Sequence, residues 1–316
     1  MGSFGAMFSI VLLFVALLLP GFILGKAKRL EEGAMVSFSN ILMYVAMPFL
    51  VFGKLTEIDF QTIAWGEVAF SAVLPIVLVF ALAVCAKYMC KGEDGQRRAA
   101  IFCSTFPNCG FLGIPIALVM WPDQPQIVLY ISIFNVISTF LLLTVGVYIL
   151  SGNKKEIRFC KTLCSPIFFA IILGAVASLL RLPERVPFAL TYVEILSQLT
   201  TPLAMLSLGY ELSKMKFFTL WSNVNVYLVA VIKLVISPLI AFGLLCLVKF
   251  VCGWQIGTPL AFAMMTATAV STAASAPVMA KKYGAASEDA AVMTVVGTLF
   301  NLLTLPLAYT LFYAVF

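Results

Sequence analysis

The chain alternates between long apolar runs and short polar connections. Ten runs approach the length of about 20 residues that an α-helix needs to cross a hydrocarbon core about 30 Å thick. These predicted spans, one to ten, lie approximately at 4–25, 34–53, 66–88, 98–120, 126–150, 165–182, 191–211, 224–250, 257–280 and 289–315. The pattern therefore predicts an all-α polytopic membrane protein with ten transmembrane helices.

The composition supports this prediction and excludes several classes of protein. Hydrophobic residues make up 62% of the chain and charged residues 11%, with a mean hydropathy of +1.07. A large soluble domain is excluded, and the lipid bilayer is the expected surrounding medium. The net charge of +6 is spread over many loops without a dense basic patch, so we expect no nucleic-acid partner.

The distribution of lysine and arginine predicts the orientation. If both termini lie outside, only four basic residues fall in outward connections, and all others except Lys233 fall in inward loops. The outward four are Lys54, Arg181, Arg185 and Lys249. Because cytoplasmic loops are enriched in basic residues, we expect both termini outside, in a plasma (inner) membrane.

The two halves of the chain match each other weakly but in order. The matches, first half before second, are Ile23-Leu24-Gly25 with Ile172-Leu173-Gly174, Pro48 with Pro202, Pro75 and Lys87 with Pro238 and Lys249, Ile114-Pro115 with Ala276-Pro277, and Phe134-Asn135 with Phe300-Asn301. Five spans per half force the second copy to be inverted. We therefore predict a first five-helix repeat at 1–150, a cytoplasmic linker at 151–164 and a second repeat at 165–316.

Two spans carry residues that interrupt helices. Span four places Pro107, Asn108, Gly110, Gly113 and Pro115 near mid-membrane, which favours a discontinuous helix. Span nine has a polar, small-surfaced counterpart, with Thr266, Thr268, Ser271, Thr272, Ser275 and Pro277. We expect the two broken helices, four and nine, to meet. The alternative is that these small residues only let helices pack closely.

A broken helix leaves backbone N–H groups and a positive dipole end without partners. These N–H groups, the Asn108 amide and the hydroxyls of Ser271, Thr272 or Ser275 together could hold a carboxylate. The pattern therefore indicates a binding site for a small organic anion.

Other polar residues within or beside the spans leave alternatives open. Asn135 and Asn301 occupy equivalent repeat positions and either join helices or flank the site. Lys233 is either functional or extends to the membrane surface, and Glu67 is expected at the outer surface in water. The chain has no histidine and no closely spaced cysteine pair, so we expect no metal, cofactor or enzymatic centre.

Several strings resemble one known family along almost the whole chain. Asn108-Cys109-Gly110-Phe111-Leu112-Gly113-Ile114-Pro115 is similar to its Asn-Thr-Gly-Phe-Leu-Gly-x-Pro signature. Further similarities are Thr201-Pro202-Leu203-Ala204 with Gly209 and Leu212, Lys233 with Pro238, and Ala280-Lys281-Lys282-Tyr283-Gly284. The family is that of the auxin efflux carriers, which includes bacterial malate and malonate permease-like members.

This resemblance implies a scaffold domain and a transport domain, elevator-like movement, and spans four and nine crossing at Pro115 and Pro277. It implies organic-anion substrates, such as malate, malonate or indole-3-acetate, and a homodimer. By motif position, Asn108 and the backbone around Gly110 to Pro115, which includes Gly113, would contact substrate, with Asn135 nearby. Two positions depart from the family pattern: Cys109 replaces a threonine, and Ser271 stands near the place of an early proline.

A second reading is a sodium-coupled organic-anion symporter that resembles the bile acid transporter family. That family shares the layout of crossed helices. Threonine and serine hydroxyls with freed backbone carbonyls could supply oxygen ligands for sodium, although few acidic residues lie within the spans.

Overall fold

The computed structural model describes residues 4–59, 63–153, 155, 166–181, 187–214, 223–251 and 253–316. These residues form an all-helical protein without a β-strand in the described ranges. The helices are α1 (Phe4–Lys26), α2 (32–56), α3 (Trp65–Met89), α4 (Asp94–Thr105), α5 (Cys109–Met120), α6 (Pro125–Ser151), α7 (Pro166–Leu179), α8 (Pro187–Ser197), α9 (Thr200–Ser213), α10 (Val224–Phe250), α11 (Thr258–Thr268), α12 (Ala276–Lys282) and α13 (Ser287–Tyr313). Most of the predicted linker at 151–164 lies outside the described residues.

The helices have the composition of a polytopic membrane protein. Helices α3, α6 and α10 are long and apolar enough to cross a bilayer, and α13 joins them if its two bent halves count as one span. Shorter apolar helices, including α5 and α7, lie between them. The helices follow the hydrophobic runs of the sequence, and the runs of predicted spans four, seven and nine each contain two helices.

The helices pack as two groups. The first group is formed by α1 on α9 and by α2 on α7 and α8. The second group contains α3 to α6 and α10 to α13, with α6 packed against α3 and α11, and α13 against α4, α10 and α12. Contacts between α2 and α6 join the two groups.

Two repeat-related glycines bring helices of the first group together. Gly25 of α1 faces Ser213 of α9, while Gly174 of α7 faces Leu55 of α2, where an added Cβ would lie 2.8 Å from the Leu55 Cβ. Small residues permit such close approach between membrane helices. Gly25, in the first half of the chain, thus packs against the helix of the seventh predicted span. Gly174, in the second half, packs against the helix of the second predicted span.

Three helices contain a π-helical turn that ends two residues before a proline. These turns are Leu42–Ala46 before Pro48, Cys109–Gly113 before Pro115 and Ile232–Ile236 before Pro238. Because proline has no N–H group, it cannot donate to the preceding turn, and a wider turn accommodates its ring. The prolines therefore reshape these helices locally.

The prediction that Glu67 lies at the surface in water is wrong. Only 6% of the residue is exposed, and its carboxylate accepts hydrogen bonds from the Tyr130 hydroxyl at 2.7 Å and the Gly257 N–H at 2.6 Å. These bonds compensate the carboxylate for its loss of water. We call this cluster the Glu67 clamp; it joins the first turn of α3 to α6 and to the residue preceding α11.

A similar clamp lies at the start of α10. The Asn225 side chain accepts a hydrogen bond from the Lys91 N–H at 3.0 Å and donates one to the Lys91 carbonyl. Lys91 lies in the connection that precedes α4. This Asn225 clamp therefore joins the start of α10 to the approach to α4, as the Glu67 clamp joins the start of α3 to the approach to α11.

Candidate functional site

Two interruptions of helical structure lie side by side in the second group. The first break, residues 106–108, separates α4 from α5, and the second break, residues 269–275, separates α11 from α12. The Asn108 N–H donates to the Ser271 carbonyl at 2.8 Å, and the Ala273 N–H donates to the Phe106 carbonyl at 2.9 Å. Pro107 and Thr272 thus form an antiparallel bridge between the breaks.

The bridge does not lie at the prolines that the sequence assigned to the crossing. Pro115 lies within α5, two residues after the end of its π-turn, and Pro277 is the second residue of α12. At the start of a helix such as α12, the missing N–H of proline is not required. The backbones pair on the N-terminal side of both prolines, at Pro107 and Thr272.

The two buried polar side chains of the second break, Ser271 and Thr272, make hydrogen bonds within the protein. The Thr272 hydroxyl donates to the Cys103 carbonyl at 2.8 Å, and the Ser271 and Thr298 hydroxyl oxygens are 3.0 Å apart. The Asn301 amide donates to a backbone carbonyl of the break, that of Ala269. These bonds fix the extended segment to α4 and α13.

The first break contains a buried donor that no described residue satisfies. The Asn108 residue is 3% exposed, and its side-chain Nδ2 has no hydrogen-bond partner among the described residues. In the first turn of α5, the N–H groups of Cys109 and Gly110 are directed at the Cys109 sulfur, and the Phe111 N–H has no backbone acceptor in the described part of the chain. A buried donor such as Asn108 Nδ2 costs free energy unless another group accepts from it.

Asn135 of α6 lies against the start of α5. The buried Cys109 thiol lies 3.1 Å from the Asn135 Oδ1, and a Cβ added to Gly110 would lie 3.3 Å from both terminal amide atoms of Asn135. Gly113 is buried one turn further on, where an added Cβ would lie 3.5 Å from the Thr266 carbonyl oxygen. The two glycines therefore let α5 approach Asn135 and α11 closely.

Ser275 is placed differently from the other polar residues predicted for the site. It is exposed and precedes α12, and its side chain makes no capping hydrogen bond. The structure thus brings Asn108, Cys109, Ser271 and Thr272 together as buried residues, and leaves Ser275 at the edge of the second break.

Lys233 does not extend to the membrane surface, one of the two alternatives left by the sequence. It is 2% exposed, and its ammonium nitrogen lies 3.5 Å from the carbonyl oxygen of Thr105, the last residue of α4. Among the described residues, no carboxylate lies within ion-pair distance of it. This cation thus stands directly beside the first break.

Sequence reasoning missed Thr298 as a member of this region. It is buried on α13, within hydrogen-bond distance of Ser271 and three residues before Asn301. Residues three apart share a helix face. The signal that could have identified Thr298 is its position in an apolar run, one helical turn before Asn301.

The site is rich in donors and contains no cluster of acidic or metal-binding side chains. The described residues include no group of three or more His, Cys, Asp or Glu side chains able to hold a metal ion. With a lysine ammonium, the Asn108 amide and the Phe111 N–H, the first break is chemically suited to a group that accepts several hydrogen bonds and carries negative charge.

A separate cavity of about 610 Å³ lies between the two helix groups. It is lined mainly by the end of α2, by α8 and by the start of α9, with Leu118 contributed by α5. Its polar residues include Lys54, Glu57, Glu194 and Gln198. None of the predicted site residues lines it.

The chain is similar to known membrane transport proteins. A family model described as "Membrane transport protein" matches it twice, over residues 6–160 and 155–309. An uncharacterized transporter of Methanocaldococcus jannaschii is 28% identical, over 74% of this chain and 78% of that protein. One of Methanothermobacter thermautotrophicus is 28% identical over 74% and 76%, and one of Escherichia coli is 21% identical over 71% and 74%, respectively.

Proposed function

Since this chain belongs to the membrane transport protein family, that of the auxin efflux carriers, we propose that it is a secondary transporter of small organic anions. It is an integral membrane protein, and the relatives named above are transporters. The substrate is a carboxylate, of the class of malate, malonate or auxin-like acids. Its carboxylate group binds at the first break.

The observation that carries this proposal is the unsatisfied Asn108 amide at the first break. Its buried Nδ2 has no hydrogen-bond partner among the described residues, and the Phe111 N–H in the first turn of α5 has no backbone acceptor there. A carboxylate has two oxygens with about four acceptor positions, and the N-terminal end of α5 favours negative charge. One bound carboxylate would therefore satisfy both donors at once.

Asn135 and the second break have supporting parts in this proposal. Asn135 lies over Gly110, close enough for its amide to contact the remainder of the substrate. Ser271 and Thr272 hold the paired backbones in place through Thr298 and Cys103. Specificity among organic acids then depends on the space between α5, α6 and α11.

The proposed architecture has ten spans in two inverted five-helix repeats, with both termini outside and the fourth and ninth spans broken. The double family match and the paired glycines Gly25 and Gly174 support the repeats. The helix group of α1, α2 and α7 to α9 is the scaffold, which dimerises. The second group carries the substrate in an elevator movement, and the cavity beside Leu118 lies along the surface between them.

Uptake by proteoliposomes tests the function. Purified protein is reconstituted and assayed with labelled malate, malonate, other small organic acids and indole-3-acetate, against protein-free liposomes. We expect at least one acid to accumulate above that background. Failure of every acid across a range of imposed ion gradients would refute the proposal.

An Asn108→Ala variant tests the site with the same assay. Loss of an amide that binds a charged ligand is expected to reduce uptake at subsaturating substrate by about 10-fold or more. Asn40→Ala is the matched control, because Asn40 is exposed on α2 and removed from both breaks. Undiminished uptake by Asn108→Ala would eliminate the proposed binding position.

Replacement of sodium by choline distinguishes the proposed carrier from the sodium-coupled alternative. A carrier that binds its anion without a metal ion keeps its uptake rate in choline. A sodium symporter loses uptake when sodium is absent.

A further inference from the structure

The cavity between the two helix groups holds an ion pair that the proposed function does not use. The Lys54 ammonium, near the end of α2, donates to both carboxylate oxygens of Glu57, at 2.9 and 3.1 Å. Both residues line the cavity of about 610 Å³. Glu57 directly follows α2, in the connection between the second and third predicted spans, so the pair is expected at the boundary between membrane and water.

The ion pair is exposed enough for its carboxylate to be exchanged. The side chain of Lys54 is 25% exposed and that of Glu57 is 51% exposed. Exposed ion pairs contribute little to stability, because water solvates both charges and two long side chains lose freedom when they pair. A ligand carboxylate that replaces Glu57 leaves the ammonium paired, and Glu57 returns to water. Such an exchange on Lys54 therefore has a small free-energy cost.

The apolar walls of the cavity favour an organic acid over Glu57. Leu118, Leu190 and Val193 are among the lining residues, and the volume lies within the range of small-molecule sites. An organic acid that places its carboxylate on Lys54 covers these side chains with its carbon skeleton. Glu57 has no such skeleton to offer. Burial of apolar surface therefore favours the bound acid.

The cavity is separate from the first break, although both lie along α5. Leu118 lies ten residues after Asn108, which corresponds to about 15 Å along a helix at 1.5 Å per residue. Leu118 belongs to the second helix group and Lys54 to the first, so an acid in the cavity contacts both groups. An acid held there therefore occupies a second position, at the opposite end of α5 from Asn108.

We propose that this cavity is a docking site, in which an incoming organic acid replaces Glu57 on the Lys54 ammonium before it moves to the first break. This inference rests on the proposed function and extends it with a second anion site. Lys54 supplies the attraction. Glu57 is a built-in competitor that occupies the ammonium while no acid is present.

Glu194 gives the docking site a preference for low ligand charge. It lines the same cavity from α8, so the lining residues include two carboxylates and one ammonium. An acid with one carboxylate needs only the ammonium that Glu57 releases. The second carboxylate of a dicarboxylate meets the like charge of Glu194. We therefore expect the docking site to bind monocarboxylates more tightly than dicarboxylates.

Equilibrium dialysis of the purified full-length protein tests the inference, because it counts bound acids. The probes are labelled indole-3-acetate, which has one carboxylate, and labelled malate, which has two. Lys54→Met, Lys54→Arg and Glu57→Gln are compared with wild type and with Lys249→Met. Lys249 is a suitable control, because it does not line the cavity and its ammonium donates to the Val315 carbonyl. The melting temperature of each variant verifies that it is folded.

We expect each wild-type chain to bind one indole-3-acetate at the first break and one on Lys54. Lys54→Met should weaken the second binding event about 10-fold or more, whereas Lys54→Arg retains it. Glu57→Gln removes the competitor and should tighten it by about threefold. Lys249→Met should bind as wild type. Because the ion pair is partly exposed, the docking site should weaken as ionic strength rises.

Two further variants separate the docking site from its surroundings. Asn108→Ala should abolish binding at the first break and leave the indole-3-acetate on Lys54. Glu194→Gln should tighten malate at the docking site and leave indole-3-acetate nearly unchanged. In the uptake assay, Lys54→Met should reduce uptake at subsaturating acid by about threefold or more, because the acid is captured less often.

The inference and the proposed function fail in distinguishable ways. If the wild type takes up no organic acid, the proposed function fails, and the inference fails with it. If the wild type takes up an acid but Lys54→Met still binds two molecules, only the inference fails. It also fails if Lys54→Met loses one molecule and keeps wild-type uptake, since the site then lies off the transport path. Should Lys54→Met not fold, Lys54→Gln gives the same comparison.

Discussion

The two breaks that meet at Pro107 and Thr272 differ in what their polar groups do. In the second break, Thr272 donates to the Cys103 carbonyl and the Ala269 carbonyl accepts from Asn301. In the first break, the buried Asn108 Nδ2 lacks an acceptor among the described residues. The two helix interruptions therefore differ in whether their buried polar side chains are satisfied within the protein.

The two breaks also differ in length. The first break spans residues 106–108, and the second spans residues 269–275. A longer extended segment exposes more backbone groups, each of which must be satisfied where water is absent. Asn301, Thr298 and the partner backbone supply those bonds in the second break. The shorter first break leaves the Asn108 Nδ2 without such a bond among the described residues.

The largest stability effect is expected for Asn301→Ala. Removal of this amide leaves the buried Ala269 carbonyl without its donor and opens a small cavity, at a cost of about 1 to 2 kcal/mol. The melting temperature of the detergent-solubilised protein, followed by intrinsic fluorescence, should fall by several degrees.

Asn108→Ala is the matched control for that change. Because Asn108 Nδ2 has no partner to lose, the melting temperature without ligand should remain close to wild type, whereas stabilisation by added substrate disappears. If the two alanine variants lowered the melting temperature equally, the contrast between the breaks would not hold.

A smaller effect is expected for Thr272→Val, which keeps the shape of the side chain and removes its hydroxyl. The lost bond to the Cys103 carbonyl should cost about 0.5 to 1 kcal/mol, with a modest fall in melting temperature. Thr272→Ser retains the hydroxyl and serves as control. A valine variant with wild-type stability and strongly reduced substrate affinity would place Thr272 in contact with the ligand.

The smallest effect is expected for Cys109→Thr, which installs the residue typical of the resembling family. A threonine hydroxyl at this position can donate to Asn135 Oδ1 as the thiol does, so uptake should stay within about threefold of wild type. Initial uptake rates over a range of substrate concentrations measure this. A change of preferred acid without loss of rate would show that position 109 sets specificity.

The sequence predicted the helical segments well because lipid demands long apolar runs. It also singled out Asn135 and Asn301 as a pair: Asn135 lies beside Cys109, directly after the first break, and Asn301 donates to the Ala269 carbonyl in the second break. Proline and glycine indicated the region of the first break.

Other features depend on partners that are distant in the chain. The Thr272 hydroxyl binds a carbonyl 169 residues away, so its commitment cannot be recognised from the local pattern. Glu67 has the position of an exposed first-turn carboxylate, and only Tyr130 and Gly257 explain its burial. The bridge between Pro107 and Thr272 joins two segments that are distant in the chain, so the local pattern around each gives no sign of it.

The Glu67 and Asn225 clamps have a consequence for biogenesis. During synthesis, Glu67 and Lys91 emerge well before their partners Gly257 and Asn225, which are 190 and 134 residues away in the chain. The amino-terminal half therefore leaves the ribosome with a Glu67 carboxylate that lacks one of its two donors and with an unpaired backbone connection at Lys91. Both clamps close only when the carboxy-terminal half has been inserted.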